Sequence, residues 1–335
     1  MPTTHHLHWG AEALWLELQP LLPSLSVEVV ARMGSTNTEL LERARRSNTL
    51  RGAPRTPEGT EAAHHPGRRQ ADTQPCLLVA EQQTHGRGRQ GKAWQSDIGA
   101  SLTFSLSLPL APADWSGLSL AVGLALAEAL DPPQPAQAPR LGIKWPNDLL
   151  LLDDGGHAPH IGRKLGGILI ETVQVGDRRM AVIGIGLNLL PLPPAPDAAD
   201  TSNTSNTSNT SNRSNTPNAL NTPALNWGYA CLQELHYGLT APAALARVAG
   251  PLVRALLAFE REGFAPLQAR FAQRDVLAGR EVTTTLATLP QGRADGVDTS
   301  GTLWLRVGDQ RVSVSSGEVS LRLVPGSPGA VGPAC

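Results

Sequence analysis

The segment that most limits what this chain can fold into is the one least able to fold. Leu190 to Asp200 reads LPLPPAPDAAD and runs directly into TSNTSNTSNTSNRSNTPN. A tandem triplet of small polar residues has too little apolar surface to offset the entropy of ordering it. Any fold must therefore loop out residues 191–223 and bring together what lies on either side. Two further stretches read the same way. Residues 48–75 are rich in Pro, Gly, Arg and His without apolar periodicity, and residues 153–162, DDGGHAPHIG, read as a turn-rich hairpin tip.

The segments between these insertions are denser. Ser35 to Arg45 opens with Ser-Thr-Asn and runs into ELLERAR, a capped helix start. Leu77 to Glu81, Leu102 to Leu108, Lys164 to Val173 and Met180 to Leu187 are β-like. Leu118 to Leu130 reads as a buried helix ended by Asp131-Pro132-Pro133. Pro251 to Arg274 has helical spacing of Leu252, Leu256, Phe259, Phe264, Leu267 and Phe271. After that the character changes. Arg280 to Thr285, Gly301 to Val307 and Gln310 to Val314 are short strands between Gly/Asp turns, the pattern of a small β-barrel. The reading is a large domain over 1–274 and a small one over 275–335.

Composition removes several function classes. A hydrophobic share of 41% supports a real core, and a net charge of −1 argues against a general nucleic-acid binder. Cys76, Cys231 and Cys335 are scattered with no CxxC pair, which speaks against a zinc site or a disulfide framework and for a reduced, cytoplasmic setting. The start MPTTHHLHWG lacks the basic and apolar regions of a signal peptide. The apolar run 118–130 is too short to span a bilayer, so no membrane role is expected. His5, His6 and His8, and His157 with His160, approach metal-ligand spacing but read as solvated.

Four segments carry chemistry. In EQQTHGRGRQGKAW, Gly86, Gly88 and Gly91 let the backbone pass close to a ligand, while Arg87 and Arg89 offer charge-assisted bonds to phosphate or carboxylate. Gly86 to Lys92 also fits G-x-x-x-x-G-K. Ala93 has no hydroxyl for Mg²⁺, however, and a strand-like segment follows instead of a helix, so the phosphate-loop reading fails. His85, beside this loop, has no paired acid in sequence. In GIKWPNDL, Asn147 and Asp148 either close a turn or serve a nucleotide and its metal through oxygen ligation. In RKLGGILIE, Lys164 is either a surface lysine at a hairpin or projects into a site. In VIGIGLNL, Gly184 and Gly186 sit inside a strand, where glycine marks a bulge or a close approach.

Taken in order, STN, EQQTHGRGRQGKAW, KWPND, KLGGILIE, GIGLN and a late GEVSLR resemble the biotin–protein ligase family, over residues 30–323 with the insertions excepted. The resemblance implies an α+β fold. A mixed β-sheet with flanking helices, of the class II synthetase-like biotin/lipoate ligase type, would precede a small C-terminal SH3-like β-barrel. It also implies roles. Ser35, Thr36, Asn37 and Gln83 would line the biotin head-group pocket. Gly86 to Gly91 would fold over biotin and the adenylate, with Arg87 and Arg89 as its charged contacts. Trp94 would sit under the nucleotide. Lys164 would reach the biotin carboxylate and the α-phosphate, Asn147 and Asp148 would serve ATP and Mg²⁺, and Gly184, Gly186 and Asn188 would form a pocket wall. Lys164, Arg89 and Asp148 would be the catalytic set.

The implied reaction makes biotinyl-5′-AMP from biotin and ATP, then passes biotin to a lysine of a biotin carboxyl carrier protein. It needs no Ser/Cys–His nucleophile, and none is evident. A lipoate or octanoyl ligase or transferase is the near alternative. A DNA-binding repressor is the distant one, disfavoured because STN begins at residue 35 and leaves little room for a winged module. The expected protein is a monomer or homodimer that does not bind DNA.

Overall fold

The computed structural model describes residues 7–51, 73–153, 162–191, 228–314 and 321–323. Most of the three insertions, the histidines at 5, 6, 157 and 160, Cys335 and the first part of GEVSLR therefore lie outside the described residues. Five helices are described: α1 (Ala11–Leu18), α2 (Thr36–Arg51), α3 (Leu118–Leu130), α4 (Ala241–Glu262) and α5 (Gln268–Ala272). The strands of the large sheet are β1 (Ser26–Met33), β2 (Cys76–Gln83), β5 (Ser101–Pro109), β6 (Leu141–Lys144), β7 (Asp148–Leu152), β8 (Gly162–Val175) and β9 (Arg178–Asn188). A two-stranded ribbon, β3 (Gly86–Arg87) and β4 (Ala93–Trp94), projects from it.

The large sheet has the order β1-β2-β5-β9-β8-β7-β6, with β1 and β2 parallel and every other pair antiparallel. Next to the central β9 lies β5, SLTFSLSLP, whose alternation divides the molecule. Leu102, Phe104, Leu106 and Leu108 enter the main core, where each buried side chain contributes about 1.5–3 kcal/mol. Thr103, Ser105 and Ser107 turn to the opposite face and are also buried. Helices α1, α3 and α4 cover the apolar face, and α2 lies over the polar one with a smaller cluster of Leu40, Leu41, Cys76, Leu78 and Val182.

Helix α2 starts where Ser-Thr-Asn predicts, with Ser35 accepting from Thr38 N (3.4 Å) and Glu39 N (3.0 Å). It runs to Arg51, so residues 48–51 belong to a helix and not to the expected loop. The helix expected over 251–274 is also displaced. Thr240 caps α4 ten residues earlier, Pro251 lies inside it, and Gly263 at φ 67° ends it before a 3-10 turn and the short α5. Proline lacks an N–H and ordinarily breaks a helix. Here burial of Leu245, Val248, Leu252, Val253, Leu256 and Phe259 against the core carries the helix through. By length and composition α4 passes as a membrane-crossing helix, but these side chains face the interior.

The C-terminal strands β10 (Glu281–Thr284), β11 (Gln291–Val297), β12 (Leu303–Val307), β13 (Gln310–Val314) and β14 (Leu321–Leu323) form a separate antiparallel sheet in the order β13-β12-β11-β10-β14. This is the small β unit expected from the turn spacing, which the resemblance describes as SH3-like. It meets the turn after β6 and helix α5: Trp145 Nε1 donates to Gly301 O (3.1 Å) and Gln268 Nε2 to Val297 O (2.7 Å). The intervening segment pairs with β6, with Ile143 N donating to Arg274 O (2.7 Å) and Val276 N to Ile143 O (3.2 Å).

Candidate active site

The motif residues gather on the polar face of the sheet, beneath the β3–β4 ribbon and beside the start of α2. At one end the STN residues meet β2 and β5. Thr36 N donates to Gln83 Oε1 (2.7 Å), the Thr36 and Ser105 hydroxyls are 2.6 Å apart, and Ser105 Oγ donates to Asn37 Oδ1 (2.6 Å). Asn37 Nδ2 continues to Leu169 O (3.2 Å) and Glu171 Oε2 (3.1 Å). One proton arrangement satisfies the chain: Thr36 hydroxyl to Ser105, Ser105 to Asn37, and Asn37 amide onward. Ser35, Thr36 and Asn37 are all buried, and Ser96 Oγ accepts from Gln83 N (2.7 Å).

At the other end, cations gather around one carboxylate. Lys164 Nζ lies 2.7 Å from Asp148 Oδ1, and Lys144 Nζ lies 3.8 Å from Asp148 Oδ2. Burial alone would raise the Asp148 carboxyl; Lys164, Lys144 and Lys92 together hold it below the usual carboxylate range. Burial lowers the Lys144 ammonium, with Asp148 acting against it. Arg89, also lowered by burial, donates to Asn147 Oδ1 (3.1 Å). Asn147 both closes its turn and ties it to β8: its N–H reaches Lys144 O (3.2 Å) and its Nδ2 reaches Ile168 O (2.7 Å). Lys164 is thus no surface lysine. It stands at a register shift between β7 and β8.

The floor between the ends is bare backbone. Gly184, Gly186 and Asn188 alternate on β9, so they share one face and span roughly 13 Å at the rise of an antiparallel strand. A Cβ on Gly184 would lie 2.3 Å from Asn37 Oδ1, and one on Gly186 2.4 Å from Trp94 Cε2. The Trp94 indole therefore rests directly on the floor. Its buried Nε1 has no hydrogen-bond partner among the described residues. Asn188 Nδ2 closes the charged end by donating to Lys164 O (3.2 Å) and Ala230 O (3.0 Å).

The structure brings together every site residue expected from sequence, but it splits the loop arginines. Arg89 faces the charged end, whereas Arg87 pairs with Glu171 (3.1 Å) and Thr38 Oγ1 (3.2 Å) at the STN end. Gly86 cannot carry a side chain, because a Cβ there would lie 2.3 Å from Trp94 O; Gly88 meets only Lys92, at 3.4 Å. The His85 ring lies 2.9 Å from the neighbouring Thr84 hydroxyl, and its backbone N–H donates to Gly34 O (2.9 Å). Ser105, Ser96, Glu171 and Lys144 were not singled out as site residues. Ser105 had a legible signal in the polar alternation of SLTFSLSL, and Glu171 and Lys144 stood inside motifs already marked.

Asp148 is engaged by lysines in this arrangement. Both its oxygens face ammonium groups, and no cluster of three or more His, Cys, Asp or Glu capable of holding a metal occurs among the described residues. A separate cavity of about 510 Å³ opens elsewhere, lined by Pro109, Trp115, Arg178, Arg179 and Glu260, and none of the motif residues lines it.

Residues 61–188 match the Biotin/lipoate A/B protein ligase family, and residues 278–322 match the biotin protein ligase C terminal domain. The biotin--[acetyl-CoA-carboxylase] ligase of Paracoccus denitrificans is 32% identical over 252 residues, covering 72% of this chain and 88% of that protein. The bifunctional ligase/repressor BirA of Salmonella typhimurium is 33% identical over 248 residues, covering 73% of this chain. The chain spans only 66% of that BirA and 65% of the Escherichia coli one. Among solved structures, the biotin protein ligase from Aquifex aeolicus in complex with biotin and ATP shares the fold. It has a TM-score of 0.57 at 21% identity, covering 89% of this chain and 99% of that one.

Proposed function

Because the chain belongs to the biotin–protein ligase family, we propose that it activates biotin with ATP to biotinyl-5′-AMP and transfers biotin to a lysine of a biotin carboxyl carrier protein. One observation carries this reading: a hydrogen-bonded polar end and a cation-rich end lie on the same face of the sheet, joined by a glycine floor. A neutral ring belongs at the first end. A carboxylate and a phosphate, both anionic, belong at the second.

In the proposed reaction a biotin carboxylate oxygen attacks the α-phosphorus and pyrophosphate leaves. Lys164 bridges the two anions and offsets their repulsion, and Arg89 and Asn147 hold the nucleotide side. Ser35, Thr36, Asn37 and Gln83 take the head group. Gly184, Gly186 and Asn188 form the wall, and Trp94 packs against the nucleotide. The ribbon from Gly86 to Trp94 shields the mixed anhydride from water. A neutral carrier lysine then attacks the carbonyl and AMP leaves with the bond's electrons. No cluster of three or more His, Cys, Asp or Glu occurs among the described residues, and Mg²⁺ is proposed to arrive on the triphosphate.

We place the catalytic unit over residues 1–274 and the small domain over 275–335, acting in the cytoplasm without DNA. Near-neutral net charge gives no basis for strong phosphate-backbone binding. The matched family description also names lipoate, which keeps a lipoate ligase as the second reading. ATP–pyrophosphate exchange with biotin, with lipoate and with neither decides between them. Exchange that depends on biotin supports the proposal; exchange with lipoate alone overturns it.

A further inference from the structure

Lys164 is held by more than its strand. The chain returning after the long insertion pairs with it directly: Lys164 N donates to Gly228 O (3.2 Å) and Ala230 N donates to Lys164 O (2.9 Å). One residue earlier, Arg163 divides its guanidinium three ways. Its Nε meets Asp153 Oδ1 (3.1 Å), its Nη1 donates to Tyr229 O (3.1 Å), and its Nη2 meets Glu234 Oε2 (2.7 Å). Glu234 in turn accepts from Cys231 N (2.9 Å). Asp153 is the last described residue before one insertion, and Gly228 is the first after the other. Gly228 is at φ 66°, and a Cβ on it would come within 3.1 Å of Arg163 Cγ, so the returning chain lies close along the arginine.

We infer that Arg163, with Glu234, is a positioning residue for the reaction: its fork gathers the stems of both insertions and thereby sets the backbone from which Lys164 reaches Asp148. Lys164 pairs with Leu150 on β7 at the edge of the register shift, but the β8–β9 ladder begins only at Gly166, so on its other side Lys164 pairs with the returning chain at Tyr229. Its direction depends on the strand laid beside it, and that strand is anchored by Arg163. A guanidinium spreads its donors over a planar fork, whereas the three donors of an ammonium radiate from one atom, so lysine is no equal substitute. This inference rests on the reading of Lys164 as the group that meets carboxylate and phosphate.

The test is single-turnover biotinyl-adenylate formation in the full chain, at enzyme in excess, for wild type, Arg163→Ala, Arg163→Lys, Glu234→Gln, Lys164→Ala and the double variant Arg163→Ala/Lys164→Ala. Arg163→Ala is expected to slow the chemical step by roughly ten- to a hundredfold, the scale for a displaced catalytic group, with biotin affinity little changed. Arg163→Lys recovers only part of the rate and Glu234→Gln falls between. The double variant is no slower than Lys164→Ala, because Arg163 acts through that lysine. Folded Arg163→Ala and Glu234→Gln proteins working at the wild-type rate would overturn the inference alone. A double variant well below Lys164→Ala, or a biotin affinity that weakens in step with the rate, would overturn it too. A wild type without biotin-dependent adenylation overturns the functional reading and this inference with it.

Discussion

The two ends of the site solve opposite problems. Around Asn37 the polar groups satisfy one another in a continuous relay from Gln83 through Thr36 and Ser105 to Glu171, and even Arg87 is neutralised by Glu171. Around Asp148, Lys164, Lys144, Lys92 and Arg89 surround one carboxylate. The first end is preorganised and electrically quiet, so it discriminates shape and hydrogen-bond pattern. The second holds an excess of positive charge at little distance from bare backbone, so it attracts anions. A ligand that is neutral at one end and anionic at the other is oriented by this difference.

Lys164→Ala removes the centre of the charged end and is expected to have the largest effect. Pyrophosphate exchange should fall by about 10²–10³-fold, as for loss of one electrostatic stabiliser, while biotin still binds. Calorimetric titration of biotin beside the exchange assay separates the two; equal loss of both would erase the contrast between the ends. Arg89→Gly should come next. A hydrogen bond to a charged group contributes about 1.5–3 kcal/mol, so the adenylate should escape faster and label lysines indiscriminately. Biotinylation of a bystander protein reads this directly, and unchanged selectivity would mean the ribbon only shapes the site.

At the quiet end, Asn37→Ala breaks the relay: Ser105 loses its acceptor and keeps only the Thr36 contact of the two given above, while Glu171 keeps Arg87. A cost of about 1–3 kcal/mol is expected, seen as weaker biotin affinity with the chemical step nearly intact. A loss of chemistry without a loss of affinity would show that the ends are not independent. The smallest effect is on acid stability. The native Asp148 carboxyl is held low, so its contribution is complete above the ordinary carboxylate range and is lost as pH falls through the depressed native value. Asp148→Asn should flatten that acid limb in thermal melts followed against pH, and an unaltered limb would assign it to other carboxylates.

The split between the ends was partly written in the sequence. The motif lysine, the Asn-Asp turn and the strand glycines are local signals, and period-two alternation in β5 separates core from site. Other features arise only in three dimensions. Lys164 meets Asp148 through the β7–β8 pairing across an insertion, and Arg163 meets Glu234 across a longer one; such side-chain partnerships leave no local periodicity. The sequence also misleads where burial overrides propensity. Pro251 reads as a helix start because proline suits the first turn, yet tertiary packing threads α4 through it. The opposing directions of Arg87 and Arg89 were illegible for a similar reason, since both follow a glycine and only the 3-10 turn that begins at Arg89 tells them apart.

The pairing of residues 274–276 with β6 has a consequence beyond catalysis. Strand β6 is the outermost of the large sheet, and its open side would otherwise present unpaired amide and carbonyl groups beside buried Leu141 and Ile143. Such a border invites another chain to add itself and begin a fibre or precipitate. The short stretch around Asp275 occupies that border, and Arg274 fastens it by donating to Leu141 O (2.8 Å) and Asp131 Oδ2 (2.8 Å). The connection between the two sheets thus also guards against self-association, and a chain shortened before it would lose solubility before it lost its site.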